Sequence, residues 1–374
     1  MSDDALPQPE RLAGAPHPRE TARLIGQDAA EKAFVDAFNG GRLHHAWMLT
    51  GPRGVGKATL AWRIARFLLA TPDREDGGMF APELPTSLDV PADHPVARRI
   101  ASGGEGRVRN VTRSINPTTK KLRQEITAED IRSLNSFFRM SAPDGGYRVV
   151  IIDDADQMNT TAANALLKML EEPPARAVLL LVSHQPSGLL PTIRSRCRTL
   201  PLRSLDAGEV AQAMQAAEVT AGDPQALTAL SGGSVGGAMR LSLMDGAALY
   251  GDLLALADTL PRMDRTRALK LAEAAAARGA EDKRDLLFVL IELLLNRLAR
   301  TGALGSAPTP EASRGEAAIL QRLSPDPHQA RVWADLSAET RARARHGIAV
   351  NLDPAALVLD TFLKIAQAAP KGAS

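Results

Sequence analysis

The 374-residue chain carries 45 Lys and Arg against 43 Asp and Glu, a net charge of +2, and 44% apolar residues. That balance excludes a disordered polyelectrolyte and a strongly basic nucleic-acid coat, and the length allows two or three domains, each with its own core. A single cysteine, Cys197, excludes an internal disulfide framework, and the seven histidines show no metal-ligand spacing, so no metal site is expected and Cys197 reads as a small buried hydrophobe.

Residues 1–20 hold Pro7, Pro9, Pro16 and Pro18 among polar residues and read as a flexible leader. Acids stand where a secretory signal has bases, and the longest apolar run, at 286–295, is interrupted by Glu292. A soluble cytoplasmic protein with no membrane contact is the expectation. Residues 29–38 have helical periodicity, 46–49 form a short apolar run, and 58–70 return to helical spacing. Between the last two lies GPRGVGKAT, residues 51–59.

That loop is nearly a phosphate-binding loop. Spaced glycines let successive backbone N–H groups surround phosphate oxygens, the lysine reaches the terminal phosphates, and a following Ser or Thr hydroxyl ligates Mg²⁺. Gly51, Gly54, Val55, Gly56 and Lys57 supply the cradle, but Ala58 stands where the hydroxyl belongs. Thr59 is one residue later and points about 100° further round the helix.

Residues 73–106, rich in Pro, Gly and acids, read as an insertion or long loop. A strand is predicted at 108–111, a helix at 128–140 with Ile131, Leu134, Phe137 and Phe138 on one face, and further strands at 148–152, 178–182 and 198–202. Strands alternating with helices imply a parallel sheet covered on both faces, with ligands at the carboxyl ends of the strands. There the glycine loop, Asp153, Asp154 and Ser183 should meet. In RVVIIDDAD, Asp153 matches the residue that holds Mg²⁺ through water and Asp154 the residue that polarises the attacking water. Turn or cap chemistry is the alternative for the Asp pair. For Arg194, Arg196 and Arg198 the spacing alone favours an exposed basic strip, and Lys120, Lys121 and Arg123 read as a solvated face. Beyond residue 205 the pattern is helical throughout, with a first small unit broken at Gly232 and Gly233; Arg341, Arg343 and Arg345 fall on different sides of one helix.

Ile25-Gly26-Gln27 and GRLHHAW (41–47) before the loop, with NALLKMLEEPP (164–174), LLLVSHQP (179–186) and TIRSRCR (192–198) after it, resemble the bacterial clamp-loader subunits of the AAA+ ATPase superfamily over about residues 21–245. The resemblance implies an α/β P-loop AAA+ domain with a five-stranded parallel sheet at 21–205, a small helical lid at 206–245, and an all-α collar at 246–374. It implies ATP or ADP as ligand, with Mg²⁺ held weakly or not at all, and a hetero-oligomer with gamma/tau and delta subunits, the sliding clamp and primer-template DNA as partners. Ser183 corresponds to the polar residue that senses the γ-phosphate. Arg196, in the family's SRC motif, corresponds to an arginine inserted into the neighbouring subunit's ATP site. Relatives often carry four cysteines as a zinc module after the P-loop helix; none stand here, so zinc is not carried over. Ala58, Asp154 in place of a glutamate, and Gly236 in place of a sensor arginine in GGSVGGAMR depart from the hydrolysing motor subunits and match the stator, or delta-prime, type.

Overall fold

The computed structural model describes residues 12–41, 43–71, 83–139, 146–220, 222–350 and 352–370. The expected leader at 1–11, Arg42, residues 73–82 of the long-loop expectation, Met140 and the Arg345 side chain lie outside the described residues. The chain divides into two compact units, Met1–Val219 with Ser234–Gly236, and Thr220–Gly233 with Gly237–Ser374.

The first unit contains α1 (Asp28–Asn39), β1 (Ala46–Thr50), α2 (Lys57–Ala70), α3 (Pro95–Ala101), β2 (Val108–Val111), α4 (Ala128–Arg139), β3 (Arg148–Ile152), α5 (Thr160–Glu171), β4 (Ala177–Ser183), α6 (Pro191–Arg194), β5 (Arg198–Pro201) and α7 (Ala207–Ala216). The strands form one sheet in the order β2-β3-β4-β1-β5, and every pairing is parallel. Parallel strands need both faces covered, which is why β1 and β4 are buried at every position. Alternate residues serve the two faces. Ala46, Met48, Val150, Ile152, Leu179 and Leu181 pack with Ile131, Leu134, Leu166 and Ile193 from α4, α5 and α6. On the other face Trp47 meets Phe34 of α1, ring centres 4.9 Å apart.

The register pairs Thr50 with Ser183 and Ile152 with Leu181, so β1, β3 and β4 end at one edge. The three loops that follow them therefore converge. Two segments differ from the sequence expectation. Residues 95–101 form a helix within what reads as loop: Pro95 presets its first turn, and the His94 ring nitrogen accepts the Val96 N–H at 3.2 Å. At seven residues α3 is too short to show a helical period.

Residues 12–24, the end of the expected leader and the chain following it, dock on α2. Two buried arginines of that helix hold the segment's carbonyls: Arg66 donates to the Arg19 and Thr21 oxygens at 3.0 and 3.3 Å, and Arg63 donates to that of Ala22. Arg63 also pairs with Glu31 at 2.6 Å and Asp89 at 2.8 Å, so its burial is compensated.

In the second unit lie α8 (Pro224–Ser231), α9 (Val235–Leu243, whose first two residues group with the first unit), α10 (Gly246–Asp258), α11 (Arg265–Ala276), α12 (Glu281–Leu304), α13 (Glu316–Leu323), α14 (Pro327–Ala349) and α15 (Pro354–Ala368). Helix α12 packs along α14, and α11 along α15. Gly302 permits the close approach of α12 to the start of α14, since a Cβ there would lie 2.6 Å from the Asp326 oxygen. Arg341 and Arg343 pair with Glu292 and, at 2.6 Å, with Asp360. No described helix is long and apolar enough to cross a membrane.

Candidate functional site

The loop at 51–56 takes a shape only glycine supplies at low strain: Gly51, Gly54 and Gly56 have φ of +139°, +75° and +102°. It delivers Lys57 as the first residue of α2. Gly56 caps that helix without any side-chain hydrogen bond, so the first-turn N–H groups and the positive end of the helix dipole face the loop. Lys57 is buried, and its ammonium donates to the Gly51 and Pro52 carbonyls at 2.6 and 2.5 Å. Burial lowers its pKa to about 8, with Asp156 opposing that shift and Arg53 adding to it. A buried cation beside uncapped N–H groups suits a phosphate, which would offer the acceptors the loop carbonyls now provide.

The same edge is less suited to a metal. Ala58 offers no side-chain oxygen. Asp154 sits at φ +62° and is already engaged: Arg53 donates to Oδ2 at 2.6 Å and Gln157 donates to the same atom. Its carboxyl is pushed up by burial against the pull of Arg53. Asp153, half-buried, is anchored through its N–H to the Val111 carbonyl at 2.9 Å. Among the described residues no group of three or more His, Cys, Asp or Glu could hold a metal ion.

Ser183 at the end of β4 is fully buried, and its hydroxyl donates to Asp156 Oδ1 at 2.6 Å. Asp156 Oδ2 accepts the N–H of Gln185 at 3.1 Å and that of His184. Asp156 thus ties the turn after β3 to the end of β4. The sequence pattern singles out the two acids before it instead. The one available signal was a third acid in the run, two residues after Asp154 and one helical turn from Asp153. His184 places Nε2 3.7 Å from Asp154, and burial with neighbouring Lys57 and Arg53 lowers its pKa to about 4, so the imidazole is neutral at pH 7.

Gln27, part of the Ile-Gly-Gln motif, is buried and clamps the loop from below, donating to the Val55 and Arg203 carbonyls at 3.2 and 2.8 Å and accepting the Arg203 N–H. From the other side Gly236 donates its N–H to the Gly54 oxygen at 2.9 Å. Gly51, Gly54, Val55, Gly56, Lys57, Ala58, Asp154 and Ser183 are therefore brought to one edge, with Thr59 half-buried in the first turn of α2. Arg196 is not part of this cluster's hydrogen bonds; it pairs with Glu171 at 2.9 Å and remains 37% exposed. Cys197 is half-buried against the core, and burial pushes its thiol up to about 12, well away from a reactive thiolate.

A sequence model of the family described as "DNA polymerase III, delta subunit" matches residues 26–206. DNA polymerase III subunit tau of Salmonella typhimurium is 31% identical over 323 residues, covering 79% of this chain and 47% of the relative. DNA polymerase III subunit delta' of Pseudomonas aeruginosa is 36% identical over 211 residues, covering 54% of this chain and 57% of the relative. Over these stretches the chain is similar to clamp-loader subunits of the AAA+ family, and both relatives support that kinship. It spans about half the length of the curated clamp-loader relatives it matches. A solved gamma-subunit-related protein from Thermotoga maritima covers 89% of this chain and 98% of its own at 17% identity and a TM-score of 0.37.

Proposed function

We propose that the chain acts as a delta-prime-type stator of the clamp loader. In this reading it assembles with gamma/tau and delta subunits in the cytoplasm and presents Arg196 to ATP on the adjacent motor subunit. The assembly loads a sliding clamp onto primer-template DNA. The observation that supports it best is an asymmetry. The chain's own nucleotide edge has Ala58 in place of the hydroxyl, Gly236 in place of a lid arginine, and Asp154 held by Arg53, while Arg196 keeps a partly exposed side chain outside that edge. A guanidinium stays protonated and offers a rigid fork of donors to phosphate oxygens, which suits the task. Lys57 and the glycine loop hold the phosphates of ATP or ADP without help from a metal. The test is turnover and nucleotide titration on the isolated chain: ADP binds, and ATP hydrolysis stays at background.

A second reading is an active motor of the gamma/tau type. Two observations favour it: the match to the tau subunit extends over more of the chain than the match to delta', and Lys57 is retained. Several turnovers per second by the isolated chain with Mg²⁺ would select it over the stator.

A further inference from the structure

The arginines at 194–198 do not form a uniform strip. Arg198 lies over the Trp47 ring, 4.9 Å from its centre. Arg196 is bracketed by two acceptors of its own chain: Nη2 lies 2.9 Å from Glu171 Oε1, and Nη1 donates to the Thr192 carbonyl at 3.1 Å. Glu171 is the last residue of α5 and Thr192 lies in α6. Their neighbours Leu170 and Ile193 are core residues, so both acceptors stand on elements that packing fixes. Two acceptors on separate elements define the plane of the guanidinium, whereas one would leave it free to swing.

A guanidinium carries five N–H donors; the bond to Thr192 uses one and the Glu171 contact is an ion pair, so most donors stay available. The arrangement therefore orients the group without using up its capacity for an anion. The pair is also shallow: Glu171 is 51% exposed and Arg196 37%, and such pairs are weak in water. Arg196 can shift onto a phosphate with little energetic resistance. An arginine immobilised in advance also loses less rotamer freedom on meeting its ligand.

We infer that Glu171 is the positioning residue for Arg196, holding the guanidinium ready before a neighbouring nucleotide is engaged. This rests on the reading of Arg196 as a group acting on another subunit's ATP. Glu171 touches no substrate itself.

The test uses the full chain assembled with its ATP-hydrolysing partner subunits, with kcat and KM for ATP measured for wild type, Glu171→Ala, Glu171→Gln, Arg196→Ala and the Glu171→Ala, Arg196→Ala double variant. Glu171→Ala should lower kcat by about three- to tenfold, the scale of re-immobilising one long side chain, with KM unchanged. Glu171→Gln keeps an oxygen at that place without the charge and should fall between wild type and Glu171→Ala. The double variant should match Arg196→Ala, since nothing remains to be positioned. If Arg196→Ala is slow while Glu171→Ala runs at or above the wild-type rate, or if the double variant is slower than Arg196→Ala, the positioning role is overturned and the reading of Arg196 stands. If Arg196→Ala has no effect, both fall.

Discussion

The N–H of Gly236 donates to the carbonyl of Gly54 at 2.9 Å, joining the start of α9 to the middle of the phosphate loop. Gly54 stands at φ +75°, and a Cβ on it would lie 3.2 Å from the Gly236 Cα. Both the backbone conformation and the contact require glycine. Gly54→Ala should destabilise the first unit by about 1–3 kcal/mol, the usual cost of holding a side chain in a sparsely allowed backbone region. Chemical denaturation followed by a probe in that unit reads the loss, and an unchanged midpoint would show that the loop relaxes without strain.

The buried Lys57 ammonium gives nucleotide binding a pH dependence. With a pKa of about 8 its positive charge is largely present at pH 7 and is lost as pH rises through 8. Anion affinity follows that charge, so it falls with rising pH. ADP titration by calorimetry should show about a tenfold weaker affinity at pH 9 than at pH 7, as the protonated fraction drops by about that factor. A flat profile across this window would mean that the lysine keeps an ordinary pKa near the loop.

Restoring the missing hydroxyl separates binding from catalysis. Ala58→Thr should make ATP affinity respond to Mg²⁺, because the hydroxyl completes the metal-ligating part of the loop. It should not restore rapid turnover, since Arg53 still engages Asp154 at 2.6 Å and no arginine stands at 236. Turnover at motor-like rates in this single variant would show that Ala58 alone silences the site.

In the second unit Glu316 is fully buried and accepts from Arg297 at 2.6 and 2.9 Å, from the Tyr250 hydroxyl at 2.6 Å and from the Ala312 N–H at 2.6 Å. The carboxylate and the charge of Arg297 are compensated only together. Glu316→Ala leaves a buried guanidinium unpaired and should cost about 3–5 kcal/mol, read as an earlier unfolding transition of the helical unit. A loss under about 1 kcal/mol would mean that water reaches Arg297 once the carboxylate is gone.

The parts of this protein that the sequence made legible are those governed by local rules. The strands at 46–50 and 177–183 announce themselves as continuous apolar runs, and the glycines of the loop are spaced for a backbone that needs positive φ at three positions. Contacts between distant segments were not legible. Arg63 and Arg66 lie in a helical run with no local sign that they hold the carbonyls of residues 19–22. Asp156 was hidden because Asp154 turns the chain at φ +62° and swings the third acid back to the end of β4, a bend with no local signature. Glu171 and Arg196 lie 25 residues apart on elements that only the packed sheet brings side by side.

Arg196 is proposed to work on a nucleotide held by another subunit. The most direct measurement is the DNA-stimulated ATPase rate of the assembled complex carrying Arg196→Ala, at an assembly yield equal to wild type. An arginine inserted into a neighbouring phosphate site contributes on the order of 10³ to 10⁵ in comparable NTPases, so the rate at the adjacent site should fall steeply. A wild-type rate in the fully assembled Arg196→Ala complex would contradict the central claim.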